Sequence, residues 1–163
     1  FRFTIRMGRV DDPVAARARP AAPALDEDNP LKVLVAEDNV VNQKVVLMLL
    51  KKLGVNADLA VDGAQAIAAV VANRYDLVLM DVQMPDVDGL SATREIRSQV
   101  PQDRQPVIFG LSAHATTEFR DTCLAAGMDG YLTKPLEPEK LRDLIATLSA
   151  KTSPRIPSLN RHA

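Results

Sequence analysis

Residues 78–89 read VLMDVQMPDVDG. With Leu77 ahead of them, they form an apolar run that stops on a carboxylate, Asp81, with Pro85 and Gly89 following. A short apolar run ahead of turn signals is the pattern of a strand buried on both faces. A charge at the end of such a strand calls for a reason, because ionised groups are not left in a core without partners.

Outward from this segment the chain alternates two patterns. Leu31–Ala36 is a second buried run. Asn39 opens a helical stretch whose inward stripe is read as Val41, Val45, Met48, Leu49 and Leu53, ended by Gly54. Asn56–Val61 is a weaker strand. Asp62 starts a helix with Gln65 three residues on, and Ile67, Ala68 and Val71 are read as its stripe. A helix over about Leu90–Val100 stops before Pro101, and Val107–Leu111 is the next strand. Phe119, Thr122, Cys123 and Ala126 mark a fourth helix closed by Gly127, followed by a short strand at Gly130–Thr133. Pro138 suits the first turn of a last helix, with Leu141, Leu144, Ile145 and Leu148 inward.

Apolar strands alternating with amphipathic helices predict an α/β fold, a doubly wound parallel sheet covered on both faces. The least apolar strand, Asn56–Val61, belongs at an edge. In such sheets ligands sit beyond the carboxyl ends of the strands, where strand order reverses. Those ends carry Glu37 and Asp38, then Asp81, then Ser112, then Lys134. Converging carboxylates repel, and a hard cation relieves them. Mg²⁺ fits, since it takes oxygen ligands from one or two carboxylates, waters and phosphate. An acidic metal site with a lysine and a hydroxyl suits phosphoryl transfer, with an aspartate as acceptor. Each residue alone has a plainer reading as a turn former or helix cap. The conjunction is what points to chemistry.

The 163 residues allow one ordinary domain with ragged ends, and 47% apolar residues predict a packed core. No apolar stretch approaches the ~20 residues a bilayer span needs, so no membrane contact is expected. Cys123 is the single cysteine, which excludes an internal disulfide and suits a reducing, cytoplasmic setting. The net charge of −1 hides a split: residues 26–150 hold 19 acids and 12 Lys+Arg, while both ends are basic. Those ends, rich in Ala, Pro and Ser, read as flexible segments rather than nucleic-acid arms.

The motifs VLVAEDN, LVLMDVQMPDVDG, IFGLSAHA and DGYLTKP together resemble the receiver domain of two-component signalling, over residues 31–150 without a break. The resemblance implies a flavodoxin-like (βα)5 sheet of order 2-1-3-4-5. It also implies that Asp81 accepts a phosphoryl group from a phosphohistidine. Asp38 would ligate Mg²⁺ directly, Glu37 mainly through water, and Gln83 through its backbone carbonyl. Ser112 matches the hydroxyl that turns to the phosphoryl group, Lys134 pairs with a phosphoryl oxygen, and Tyr131 matches the aromatic that moves with Ser112. Gln83 and His114 stand where the family tunes phosphoryl lifetime, although His114 also reads as a plain solvated loop residue. The Lys134–Pro135 bond is expected cis. Glu37-Asp38 stands where the family often has two aspartates.

FRFTIRMG, residues 1–8, resembles the last strand of a histidine kinase ATP-binding domain, and EDNVVNQKV resembles receivers fused to kinases. The expected parent is a hybrid sensor histidine kinase, with residues 9–30 a flexible linker and 151–163 a flexible tail. Expected partners are a histidine kinase core and a histidine phosphotransfer protein, with no nucleic acid. The chain itself carries no kinase catalytic core: neither His114 nor His162 suits a phosphorylated kinase histidine, and no Gly-rich ATP lid is present. The alternative is a pseudo-receiver that binds protein without accepting phosphate. Such domains lose the acidic pair, the aspartate or the lysine, all of which stand here. A phosphatase with an aspartate nucleophile would want a second Asp where Gln83 stands.

Overall fold

The computed structural model describes residues 31–114 and 116–152. Five strands and five helices alternate: β1 Val33–Ala36, α1 Val40–Lys52, β2 Ala57–Ala60, α2 Gly63–Ala72, β3 Leu77–Asp81, α3 Gly89–Gln99, β4 Val107–Ser112, α4 Thr117–Ala125, β5 Gly130–Thr133 and α5 Pro138–Thr152. A 3₁₀ turn at Gln102–Arg104 joins α3 to β4. All strands pair in parallel, in the order β2-β1-β3-β4-β5. The doubly wound sheet read from the sequence is the one observed, with β2 at an edge. The reversal of strand order falls between β1 and β3, so Glu37 and Asp81 leave neighbouring strands at the same rim.

Both faces of the sheet are covered, and the alternation of side chains along each strand divides the core in two. Val33, Val35, Leu77 and Leu79 pack with α1 and α5. Leu34, Ala36, Val78 and Met80 pack with residues of α2, α3 and α4. Burial on both sides explains why these strands read as continuous apolar runs.

The helix ends follow local chemistry. Asn39 caps α1, its side-chain oxygen accepting from the N–H groups of Val41 at 2.9 Å and Asn42 at 3.3 Å. Asp62 caps α2 by accepting from Gln65 N–H at 2.7 Å, while Gln65 Oε1 accepts from Val61 N–H. Gly54, at φ 76°, and Gly127, at φ 100°, take the left-handed turn that ends α1 and α4.

Two inward stripes differ from the sequence reading. On α1 the buried residues are Gln43, Val46 and Leu50, flanked by Leu47, Leu49 and Leu53. Val41 is 68% exposed and Met48 50%, and Val45 also faces solvent. The helix VVNQKVVLMLLKK is apolar on nearly every side, so periodicity does not select a face. On α2 the buried residues are Gly63, Ala66 and Val70; Ile67 is half-buried, and Ala68 and Val71 are exposed. Contact with the loop after β3 sets this rotation, because a Cβ at Gly63 would lie 2.3 Å from the Val87 carbonyl oxygen. Thr122 is exposed as well, with its hydroxyl donating to the Glu118 carbonyl. The strand expected at 1–8 and the linker at 9–30 lie outside the described residues. Of the expected tail, Lys151 and Thr152 extend α5 and the rest lies outside them too.

Candidate functional site: the carboxyl rim of the sheet

The rim is assembled from four strand ends. β1 delivers Glu37 and Asp38, β3 ends on Asp81, β4 ends on Ser112, and the residue after β5 is Lys134. Glu37 is fully buried, Asp81 is 4% exposed, and Asp38 lies open to solvent. Lys134 Nζ reaches between two acids, donating to Glu37 Oε2 at 2.7 Å and to Asp81 Oδ2 at 2.7 Å. The other Asp81 oxygen accepts from the Gln83 N–H at 3.0 Å. Asp38 completes an acidic cluster in which one carboxylate oxygen from each of Glu37, Asp38 and Asp81 lies within 4.8 Å of the others. Three carboxylates and one ammonium leave two negative charges at the rim, the complement of a divalent cation. The donors are all hard oxygens, the set Mg²⁺ takes.

The electrostatics separate the two buried acids. Burial alone would raise the Glu37 carboxyl, but hydrogen bonds from Lys134 and Asn42 outweigh it and hold the group below its ordinary value. For Asp81 burial wins over Lys134 and the Gln83 N–H, and the charge of Glu37 adds to it, so this carboxyl sits above its ordinary value. One shared cation thus accompanies opposite shifts. Glu37 has a neutral donor in Asn42, whereas Asp81 faces a fixed negative neighbour. The Lys134 ammonium, which burial alone would weaken, is held in its charged form by Asp81 and Glu37.

Ser112 lies beside this cluster, since its carbonyl accepts from Lys134 N–H at 2.7 Å. Its hydroxyl is engaged within its own loop, donating to the His114 carbonyl at 2.9 Å and accepting from the His114 N–H at 3.0 Å. The His114 and Gln83 side chains are exposed. Tyr131 is half-buried on β5 and meets Phe119 edge to face, centroids 6.1 Å apart. The Lys134–Pro135 peptide is cis.

Three supporting groups had no role in the sequence reading. Asn42 Nδ2 donates to Glu37 Oε1 at 3.0 Å, and Gln43 Nε2 donates to the Glu37 carbonyl at 2.7 Å. Two adjacent amides in the first turn of an otherwise apolar helix were the available signal. The third is Gly89, whose place at the start of α3 leaves no room for a Cβ: one would lie 2.1 Å from the Asp81 carbonyl oxygen.

Comparison with known proteins agrees with this geometry. The chain is 38% identical over 130 residues to histidine protein kinase 1 of Candida albicans, covering 74% of this chain and 5% of that protein. It is 46% identical over 116 residues to hybrid signal transduction histidine kinase H of Dictyostelium discoideum, covering 69% and 8%. It therefore spans only a small part of these relatives. Among solved structures it superposes on the receiver domain of a Pseudomonas aeruginosa sensor histidine kinase that holds magnesium in its active site cleft. There the TM-score is 0.68 at 40% identity, covering 75% of this chain and 99% of that one. A second is the Saccharomyces cerevisiae co-crystal of a histidine phosphotransfer protein with the receiver domain of its downstream response regulator. Its TM-score is 0.71 at 27% identity, covering 78% and 94%. The family model for the response regulator receiver domain matches residues 33–146, well over half of the 163, and the chain belongs to that family.

Proposed function

We propose that this domain is the phosphoacceptor of a two-component phosphorelay, taking a phosphoryl group from a phosphohistidine onto Asp81, and that it serves as the receiver of a hybrid sensor histidine kinase. The observation that carries the reading is the Lys134 ammonium, 2.7 Å from both Asp81 and Glu37, with Asp38 completing the acidic cluster. A merely structural aspartate at a strand end does not require two further acids and a lysine from two other strand ends.

In this reading Asp38 and Asp81 would hold Mg²⁺ directly, Glu37 would act mainly through water, and the Gln83 carbonyl would add a ligand. A cation held there would supply positive charge against the transferring oxygens. A carboxylate oxygen of Asp81 attacks the phosphorus, the phosphorus–nitrogen bond to the donor imidazole breaks, and the imidazole leaves with that electron pair. Lys134 then follows a phosphoryl oxygen. The phosphoryl group also offers Ser112 a charged acceptor, stronger than the His114 carbonyl it now uses. Turning the hydroxyl inward opens space for Tyr131 to leave its contact with Phe119. Gln83 and His114, exposed at the rim, govern access of water to the acyl phosphate.

The partner reading rests on α1. Its N-terminal turn follows Glu37 and Asp38 directly, and it carries Val40, Val41, Val45 and Met48 exposed on one side. Apolar side chains beside a reactive aspartate suit docking of a helical carrier of phosphohistidine, a histidine phosphotransfer protein or a kinase core. Among the described residues no helix is long and apolar enough to cross a membrane.

The test is intact mass after incubation with Mg²⁺ and acetyl phosphate. One phosphoryl mass is expected on the wild type and none on Asp81→Asn. Labelling that persists in the variant, or a wild type that takes no label, overturns the reading and favours a pseudo-receiver.

A further inference from the structure

We infer that Asn42 is a positioning residue that holds Glu37 out of direct contact with the bound cation and so sets the site's preference for Mg²⁺ over Ca²⁺. The inference rests on the phosphoacceptor reading for one point only, that a divalent cation sits between Asp38 and Asp81.

Glu37 is a fully buried carboxylate whose oxygens are both taken by protein donors. Oε2 accepts from Lys134 Nζ at 2.7 Å. Oε1 accepts from Asn42 Nδ2 at 3.0 Å and from the Asn39 N–H at 3.3 Å. Behind the side chain, Gln43 Nε2 grips the Glu37 carbonyl at 2.7 Å. Asn39, Asn42 and Gln43 belong to one helical turn, and Asn39 at the same time caps that helix. The donors to Oε1 and to the carbonyl therefore come from a rigid element, not from a loop free to follow the acid.

This grip matters because of where Glu37 stands. One of its oxygens lies within 4.8 Å of oxygens from Asp38 and Asp81. Without the Asn42 amide, Oε1 would keep only the longer backbone bond, and rotation of the carboxylate toward a cation would cost little. Mg²⁺ demands six ligands at near-octahedral angles, keeps several waters, and takes one or two carboxylates. Ca²⁺ accepts six to eight oxygens, bidentate carboxylates among them. A third carboxylate free to enter the shell serves Ca²⁺ and crowds Mg²⁺. A third carboxylate locked behind a water serves Mg²⁺.

The test is titration of metal-free, isotope-labelled protein with MgCl₂ and separately with CaCl₂, following the amide signals of Asp38 and Gln83. The variants are Asn42→Leu, which keeps the volume and removes the donor, and Asn42→Ala, which removes both. Losing a partner of this kind costs about tenfold in metal affinity. In both variants Mg²⁺ affinity is expected to fall by about that factor while Ca²⁺ affinity holds or rises, so the Mg²⁺/Ca²⁺ preference falls. General loosening of the fold would weaken both ions alike. Parallel weakening, or no change for either ion, overturns the inference. Asp38→Asn is the control for the underlying reading: a wild type that binds neither ion, or an Asp38→Asn protein that binds as well as the wild type, fails the phosphoacceptor reading itself and this inference with it.

Discussion

Lys134→Ala should destabilise the metal-free protein in a way that depends on both pH and Mg²⁺. The lysine lies 2.7 Å from two carboxylates whose side chains are 0% and 6% exposed. Removing one partner of a buried ion pair costs about 3–5 kcal/mol, because the remaining charge is left unpaired. Here two charges are left, so the upper part of that range is expected. The protein has one escape, which is to protonate. Asp81 already sits above its ordinary value, so its contribution is present at low pH and is lost as pH rises through the folded value. Without the lysine that value climbs further, each added unit being about 1.4 kcal/mol. Glu37 runs the other way: its stabilisation is present above the ordinary 4.5 and is lost as pH falls through its lowered folded value. In the variant this stabilisation is gone, so the deficit is large near about pH 8 and shrinks toward about pH 5. Mg²⁺ supplies replacement positive charge, and at one hundred times its dissociation constant restores about 2.7 kcal/mol. Urea unfolding of both proteins at the two pH values, with chelator and with Mg²⁺, reads all of this. A loss that is the same at both pH values and unaltered by Mg²⁺ would refute the reasoning, as would a loss below about 0.5 kcal/mol.

Gly89→Ala should cost about 3 kcal/mol in denaturant unfolding, since the new Cβ would lie 2.1 Å from the Asp81 carbonyl oxygen and α3 must move. The same shift should slow labelling by acetyl phosphate, and unchanged rate and stability would contradict the close approach. Tyr75, whose hydroxyl donates to Asp58 at 2.7 Å, is pushed by burial and by that carboxylate up to about 12, so an ultraviolet titration should show this tyrosine ionising there. Its contribution to stability is present below the ordinary value of 10 and is lost as pH rises toward 12, and Asp58→Asn should bring the transition down. Replacing both Val41 and Met48 with Asp should leave stability within about 0.5 kcal/mol, because both are exposed. Transfer from a phosphohistidine protein should slow on the order of tenfold, about 1.4 kcal/mol, while labelling by acetyl phosphate stays the same. Equal slowing of both reactions would place the effect at Asp81 rather than at docking.

The residues of the rim were legible in the sequence because strand ends are fixed by two strong signals, an apolar run and the polar residue that stops it. Val78-Leu79-Met80 before Asp81 and Phe109-Gly110-Leu111 before Ser112 could hardly be read otherwise. The weak strand Ala57–Ala60 declared itself an edge by Asp58. The inward face of α1 was not legible. Val41, Val45 and Met48 form as good a helical stripe as Val46 and Leu50, and hydrophobicity alone prefers neither. What decides is polar: Gln43 goes inward because its amide meets the Glu37 carbonyl. That partner is visible only once the helix is laid against the sheet. Gly89 was likewise read as a turn residue, while its tighter constraint is the main chain of Asp81, eight residues earlier.

The bond between Lys134 and Glu37 joins residues 97 positions apart. During synthesis the ribosome therefore delivers the acids long before the cation that pairs with them, and β5 is the last strand to be made among the described residues. Until it docks, Asp81 has no lysine beside it. Contacts this distant in sequence are slow to form, because loop-closure entropy is paid before the contact rewards it. On the phosphoacceptor reading proposed above, competence to take a phosphoryl group would report completed folding: a chain still being made, or one cut by a protease after α4, has Asp81 without the Lys134 that pairs with it.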